Sequence, residues 1–303
     1  MAKTNRPQAT EPAATSSSGL ILGAHEGGLR DCLRKVFAAS FAGCQPFGLV
    51  GALGQQGPAA FAERVPAVQV VQGTAVLDVV GPLSKGEDLF NWFFGTLTYP
   101  QLVEQVNQAR RDVRVQAVML RIDSPGGSVA GVSDLCEAVL ACRAEKPTVA
   151  AISDLAASCA YQVAACAERV FCDRDGWAGS VGVFLVVDDL SRLYQDLGWT
   201  VRVFATERDP YKGAGVPGTA ISSEQADDFQ RMADELGGEM IRSMFEARPT
   251  LRTSGLKLPD GRVYLAEDAR RRGLIDAVAS WQQVLAAMTG GDLLAEKLLT
   301  AAR

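Results

Sequence analysis

Regular alternation of apolar and polar positions begins at Val68-Gln-Val-Val71 and resumes at Thr74-Ala-Val-Leu-Asp-Val-Val80, which predicts a strand pair turning on Gly73. Residues 99–110 carry a helical pattern. Ala117-Val-Met-Leu-Arg-Ile122 reads as a strand running straight into Asp123-Ser-Pro-Gly-Gly-Ser128. Next, Val132, Leu135, Cys136, Val139 and Leu140 fall at the i, i+3, i+4, i+7, i+8 positions of an amphipathic helix. An apolar strand at 148–152 precedes an Ala-rich helix, and a short strand follows at 169–172. Gly179-Ser-Val-Gly-Val-Phe-Leu-Val-Val187 predicts a turn feeding a buried strand, then a helix over 189–197 and a strand over 200–205. Ser222-Ser-Glu-Gln225 has the form of a capping box opening a long helix to about Ala247. Beyond it come a turn at Pro259-Asp-Gly261, a short strand at 262–264, a helix at 266–272 and a final helix from Trp281.

Strands and helices alternate through the middle of the chain without an internal repeat. That is the pattern of an α/β fold with a mostly parallel sheet. Sites in such sheets lie beyond the carboxyl ends of the strands. Both the 123–128 loop and Ser158, where the 148–152 strand gives way to a helix, fall there. A hydroxyl at that junction, beside helix N–H groups that lack intrahelical partners, suits a nucleophile. It equally suits a plain helix cap, and the pattern leaves both readings open.

Ahead of the alternation the chain is poorly patterned. Residues 1–19 are rich in Ala, Thr, Ser and Pro and lack an apolar run, so they read as a flexible leader rather than a signal peptide. Residues 20–66 form an extension with one short helix expected around 29–41. The uncharged stretch 36–62 is interrupted by Gln45, Pro46, Gln55, Gln56 and Pro58. It falls short of the about 20 predominantly apolar residues a spanning helix needs, so no membrane span is expected.

Composition narrows the chemistry. The 303 residues suffice for one large or two ordinary domains, and 48% hydrophobic with 21% charged residues is a globular balance. A net charge of −5 gives no reason to expect nucleic acid or an anionic membrane as partner. Seven cysteines without a C-x-x-C pair propose neither a zinc site nor a disulfide framework, and reduced thiols fit a cytoplasmic setting. The single histidine, His25, lies in the unpatterned extension, so a Ser-His-Asp triad has no placed base. Phosphate-binding glycine motifs and clusters at metal-ligand spacing are absent from the sequence.

Serine with lysine remains. Lysines are few (Lys3, Lys35, Lys85, Lys146, Lys212, Lys257 and Lys297), and Lys212 lies in a glycine- and proline-punctuated loop. A lysine acting as base must be neutral near pH 7, which requires about 4 kcal/mol of differential stabilisation. Burial supplies it, and the mostly uncharged flanks Pro210-Tyr211 and Gly213-Ala-Gly-Val-Pro217 permit burial. A solvated loop lysine is the plain alternative. In Asp123-Ser-Pro-Gly-Gly-Ser128 two glycines expose backbone N–H groups that could hold an oxyanion, or simply make a tight connection.

Taken together, these segments resemble the S49 peptidase family, the signal peptide peptidase A group and its phage capsid-protease relatives, built on the ClpP/crotonase fold. Val118-Met-Leu-Arg-Ile-Asp-Ser-Pro-Gly-Gly-Ser-Val129 is similar to the family's strand and oxyanion loop, and Ala156-Ala-Ser-Cys-Ala-Tyr161 to its nucleophile motif. Gly179-Ser-Val-Gly-Val183 and Tyr211-Lys-Gly213 resemble its G-S-[IV]-G-V segment and lysine loop. Gly261-Arg-Val-Tyr-Leu-Ala-Glu-Asp-Ala269 with Gly273-Leu-Ile-Asp276 resembles its closing motif. The likeness places a peptidase domain of repeated ββα units at 67–280, followed by a helical tail at 281–303.

Carried onto this chain, the resemblance implies Ser158 as nucleophile and Lys212 as general base. It implies the backbone N–H of Gly127, with one just after Ser158, as the oxyanion hole, and Ser180 as the residue that orients Lys212. It implies a polypeptide substrate, no metal or cofactor, and a homo-oligomer whose neighbouring subunits help build the substrate groove. The family often has glycines after the serine, where this chain has Cys159 and Ala160, and a bulkier residue there could narrow the oxyanion hole or shift a donor. Cys159 is also a rival nucleophile to be tested. The expected setting is phage head maturation, with a signal-peptide-peptidase-like enzyme as alternative. A catalytically silent assembly scaffold and a crotonase-type acyl-CoA enzyme are further readings of the same fold.

Overall fold

β-Branched and aliphatic residues dominate three segments, and in a computed structural model of the chain these become the central parallel strands. The structure describes residues 68–86, 97–252, 257–258 and 260–290. The expected leader, extension, short helix at 29–41, uncharged stretch, His25 and Pro259 lie outside the described residues, as does the tail beyond Gly290. Strand β1 (Gln69–Val71) pairs antiparallel with β2 (Thr74–Val80) through a turn at Gln72 and Gly73, both at positive φ. Strands β3 (Ala117–Ser124) and β4 (Thr148–Ala157) add in parallel, then β5 (Arg169–Cys172) and β8 (Ala277–Val278). The α/β class with a mostly parallel sheet is thus observed.

Between the strands run α1 (Tyr99–Arg111), α2 (Val132–Glu145) and α3 (Cys159–Ala165). The capping box of α1 is Thr98 with Gln101. Four of the five predicted apolar positions of α2 are buried, and Leu140 is exposed. The main core joins these helices to one face of the sheet, while Val76, Met119, Val149, Ala151 and Phe171 face a second cluster. That second face is covered by α7 (Trp281–Met288), the expected final helix. The long α5 (Ser223–Ala247) opens on the predicted capping box of Ser222 with Gln225. Arg248 and Arg169 both bridge to Asp276, and Asp276 also accepts the Val170 N–H, which ties the end of α5 to β5.

Strand β4 decides where the site falls. Its first half pairs with β5, from Val149 to Ile152, and its last three residues pair with β6 (Trp177–Val181) instead. Strand β6 in turn pairs antiparallel with β7 (Asp260–Leu265), with a register shift between Gly179 and Val181. The end of β4 is therefore flanked by β3 on one side, Ser124 opposite Ala156, and by β6 on the other, Ala157 opposite Gly179.

Two expected strands do not form. The apolar run after Gly179 is a strand only to Val181, and residues 200–205 pair with no strand among the described residues. Phe184, Trp199 and Phe204 are 75%, 65% and 91% exposed. Hydrophobicity alone suggests burial, but a strand also needs a hydrogen-bonding neighbour, and none of the described residues supplies one. Only the short helix α4 (Ser191–Asp196) of this region forms as expected, trimmed at both ends. The remaining helix, α6 (Ala266–Arg271), follows β7.

Candidate active site

Strand β4 delivers Ser158 directly to the start of α3. The residue sits at φ 53 and ψ −127, a backbone conformation that side-chain-bearing residues rarely adopt. Its side chain makes no cap bond to α3. The cap reading that the sequence left open is therefore not what the structure contains. The Ser158 N–H donates to the Gly179 carbonyl at 3.0 Å, and its own carbonyl accepts from Gln162 at 3.0 Å. Such strain persists only where the surroundings enforce it, and it concentrates at functional sites.

Those surroundings are well built. Every residue of α3 is buried, and Ala160, Ala164 and Ala165 are small enough to let the helix sink into the core. Tyr161 donates its hydroxyl to Leu274 O at 2.7 Å, and Gln162 donates to Ser243 Oγ at 2.8 Å. These bonds give the polar side chains that α3 takes out of water a partner.

The glycine loop after β3 lies against Ser158. Gly126 has φ 91, and a Cβ placed on it would stand 2.8 Å from Ser158 Cβ and 3.0 Å from Cys159 N. A Cβ on Gly127 would stand 1.8 Å from Leu83 O. Both glycines are thus demanded by close backbone approach. Loop and β3 end are held by Ser124, whose hydroxyl donates to Gly81 O at 2.6 Å and accepts the Gly126 N–H at 3.1 Å. Leu83 donates to Gly126 O, and Ser128 donates back to Leu83 O, both at 2.9 Å. In a trans peptide the C=O and N–H point opposite ways, so the Gly127 N–H is directed away from Leu83. No backbone carbonyl among the described residues accepts it, and it lies within reach of the Cys159 sulfur, where it opposes the upward push of burial on that thiol. The Cys159 N–H, first in α3, has no intrahelical acceptor.

Ser180 follows the carbonyl that holds Ser158. It lies in the β6 bulge at φ 52, half-buried. Bulges of this kind re-aim a side chain at the edge of a site. No hydrogen bond joins Ser180 or Ser158 to Lys212 among the described residues. Lys212 is exposed, in a turn where the Asp209 carboxylate accepts the N–H groups of Tyr211 and Lys212 at 2.8 and 3.3 Å. It lines a cleft of about 580 Å³ with Phe204, Arg208 and Thr219, and Ser158 is not part of that lining. The burial a neutral lysine needs is therefore not provided by the described residues of one copy, contrary to expectation.

Two titrating groups stand at the same sheet end. Burial, then the nearby Asp154 carboxylate, pushes the Asp123 carboxyl up, against a bond from the Leu155 N–H. Burial also pushes the Cys159 thiol up, opposed in part by the Tyr99 and Ser158 hydroxyls beside it. Among the described residues, no group of three or more His, Cys, Asp or Glu could hold a metal ion. No helix among them is long and apolar enough to cross a membrane. Sequence reasoning missed Ser124 and Tyr99 as parts of the site. Nothing in the local pattern marks either, because their partners are the distant carbonyls of Gly81 and Ser128.

A parallel sheet ending in a strained strand-to-helix serine beside a glycine loop defines a class of hydrolase-like folds, and the comparisons place the chain within it. The sequence model of peptidase family S49 matches residues 141–293. The chain belongs to that family. It is 30% identical to the chloroplastic serine protease SPPA of Arabidopsis thaliana over 71% of its own length and 30% of the relative's. It is 28% identical to protease 4 of Salmonella typhi, over 70% of this chain and 33% of that one. It is 25% identical to capsid assembly protease C of Escherichia phage lambda, over 73% and 49%. The chain thus spans at most about half the length of these three relatives.

Proposed function

We propose that this chain is a serine endopeptidase in which Ser158 attacks the peptide carbonyl and Lys212 takes the proton from its hydroxyl. The tetrahedral oxyanion is held by the backbone N–H groups of Gly127 and Cys159. Lys212 returns the proton to the leaving amine, and an ester to Ser158 remains. Water activated by Lys212 then hydrolyses that ester, restoring the free hydroxyl. Ser180 orients the lysine. No step calls for a metal or cofactor.

The observation that carries this reading is Ser158 itself, held at φ 53 with a hydroxyl that caps nothing. The position of Gly126 against it supports the same reading, since the Gly127 N–H follows directly and no backbone carbonyl among the described residues takes it. Lys212 needs cover from water to act as a base. Phe204, 91% exposed, lines the same cleft as Lys212, and Phe184 and Trp199 are exposed as well, which favours a homo-oligomer in which a neighbouring copy provides that cover.

For the setting we propose processing of capsid-assembly proteins, supported by the likeness to the lambda capsid assembly protease over 73% of this chain. Clearance of signal peptides is the second reading, supported by the likeness to the chloroplastic serine protease SPPA over 71% of this chain. Incubation with phage scaffold and portal proteins, against a set of signal peptides, separates the two by which is cut.

Casein digestion by wild type and Ser158→Ala, followed by intact mass, tests the activity. Cleavage by the wild type alone supports Ser158 as the nucleophile. Cleavage by both removes Ser158 from the mechanism, and cleavage by neither favours a silent scaffold.

A further inference from the structure

Cys159 directly follows the proposed nucleophile and is 2% exposed. Its thiol donates to Gly127 O at 3.5 Å and reaches Ser128 O at 3.8 Å. Tyr99, the first residue of α1 and fully buried, donates its hydroxyl to Ser128 O at 2.9 Å. The Tyr99 ring also rests on Gly131, where a Cβ would come within 3.0 Å of it. Two buried side chains from two different helices thus converge on consecutive carbonyls of one loop.

We propose that Cys159 and Tyr99 are positioning residues that clamp the Gly126–Ser128 loop by its carbonyls, so that the Gly127 N–H stays aimed for the oxyanion. The inference rests on the peptidase reading and extends it to two residues that never touch substrate.

The physical need follows from the glycines. Gly126 and Gly127 carry no Cβ and tolerate φ of either sign, so a peptide flip within the pair is inexpensive unless its neighbours forbid it. Leu83 holds the loop from one side, accepting from Ser128 and donating to Gly126 O, both at 2.9 Å. The thiol and the phenol hold the following carbonyls. Rotation of the Gly126–Gly127 peptide would break the Leu83 N–H bond to Gly126 O, and the following Gly127–Ser128 peptide, bonded at both ends, fixes where the chain must continue.

The donors are suited to the task. Burial pushes both the Cys159 thiol and the Tyr99 phenol up, so both keep their protons at neutral pH and both can donate. Cys159 also links the two oxyanion donors: its own N–H is one, and its side chain restrains the loop that bears the other. The bulkier residue after the serine is therefore accommodated as a strut for the loop.

The test uses the full chain and a fluorogenic peptide bearing a bond the wild type cuts in casein. Cys159→Ala and Tyr99→Phe are each expected to lower kcat about tenfold with KM held within about twofold, less than loss of a donor itself would cost. Affinity for a peptide aldehyde, whose adduct with Ser158 carries the oxyanion, is expected to fall by the same factor as kcat. Cys159→Ser, which keeps a donor, is expected to recover kcat to within about threefold of wild type. Unchanged kcat and aldehyde affinity in the folded variants would overturn the proposal. So would a loss confined to KM, or a Cys159→Ser no better than Cys159→Ala. If Cys159→Ala does not fold, Tyr99→Phe decides, since it removes one oxygen and keeps the ring. A Ser158→Ala variant that cuts the peptide as fast as wild type, or a wild type that cuts nothing, sinks the peptidase reading instead, and both outcomes are read before either clamp variant is made.

Discussion

Ser158 donates its backbone N–H to the Gly179 carbonyl at 3.0 Å, which ties the end of β4 to the β6 bulge. The bond spans two elements that the parallel pairing of Ala157 with Gly179 has already aligned. It helps to hold Ser158 in a conformation its own side chain disfavours. The residue one step beyond Gly179 is Ser180, so one bond places both serines.

Backbone strain at Ser158 has a measurable consequence. Glycine accepts φ 53 and ψ −127 far more readily than alanine. Ser158→Gly is expected to be more stable than Ser158→Ala by about 1 kcal/mol in urea denaturation, though neither should cut peptides. Equal stabilities would mean that the backbone relaxes once the serine is gone.

Much of this arrangement was legible in the sequence, and the reasons differ by element. Strands β2 to β5 and the helices between them follow from local periodicity, because each buries a face against its chain neighbours. The junction at Ser158 was legible for the same reason, although whether its hydroxyl caps the helix depends on a φ that no pattern encodes. The runs at 182–187 and 200–205 misled because their apolar residues find no neighbour among the described residues. The Tyr99 and Ser124 contacts were invisible because they join side chains to backbone carbonyls tens of residues away.

Gly127 shows how a structural demand can imitate a functional one. A Cβ there would stand 1.8 Å from Leu83 O, a clash between backbones that no side-chain rotation relieves. Gly127→Ala is expected to lose about 3 kcal/mol or more of stability. Gly127→Val, with a larger side chain, is expected to lose at least as much, so neither isolates the oxyanion role. A Gly127→Ala protein with wild-type urea denaturation would show that the Leu83 segment moves aside.

Asp123 supplies a stability signature in pH. Its folded carboxyl is pushed above its ordinary value of 3.8, chiefly by burial and then by Asp154. The folded state therefore holds the proton more tightly than the unfolded state. Below the unfolded value both states are protonated and the residue contributes no difference. As pH rises through the raised folded value, ionisation costs the folded state stability. Asp123→Asn should therefore gain stability relative to wild type at pH 7, with the gain vanishing near pH 3. A gain that is the same at both pH values would contradict the assignment.

The thiols should be silent. Cys136, Cys142, Cys159, Cys166 and Cys172 are all buried and unpaired by disulfides, and burial pushes Cys172 up to about 12. Iodoacetamide at pH 8 is expected to leave these five unmodified by peptide mapping of the native protein, with activity retained. In urea all five should react. Modification at Cys159 as fast as in urea would contradict the buried, protonated state of that thiol.

The most direct test of the account is labelling with a fluorophosphonate, which reacts only with an activated serine. The intact mass should rise by one adduct, mapped to Ser158, absent in Ser158→Ala and formed far more slowly in Lys212→Ala. No adduct on the wild type, or one mapped elsewhere in the chain, would contradict the claim that Ser158 is the nucleophile.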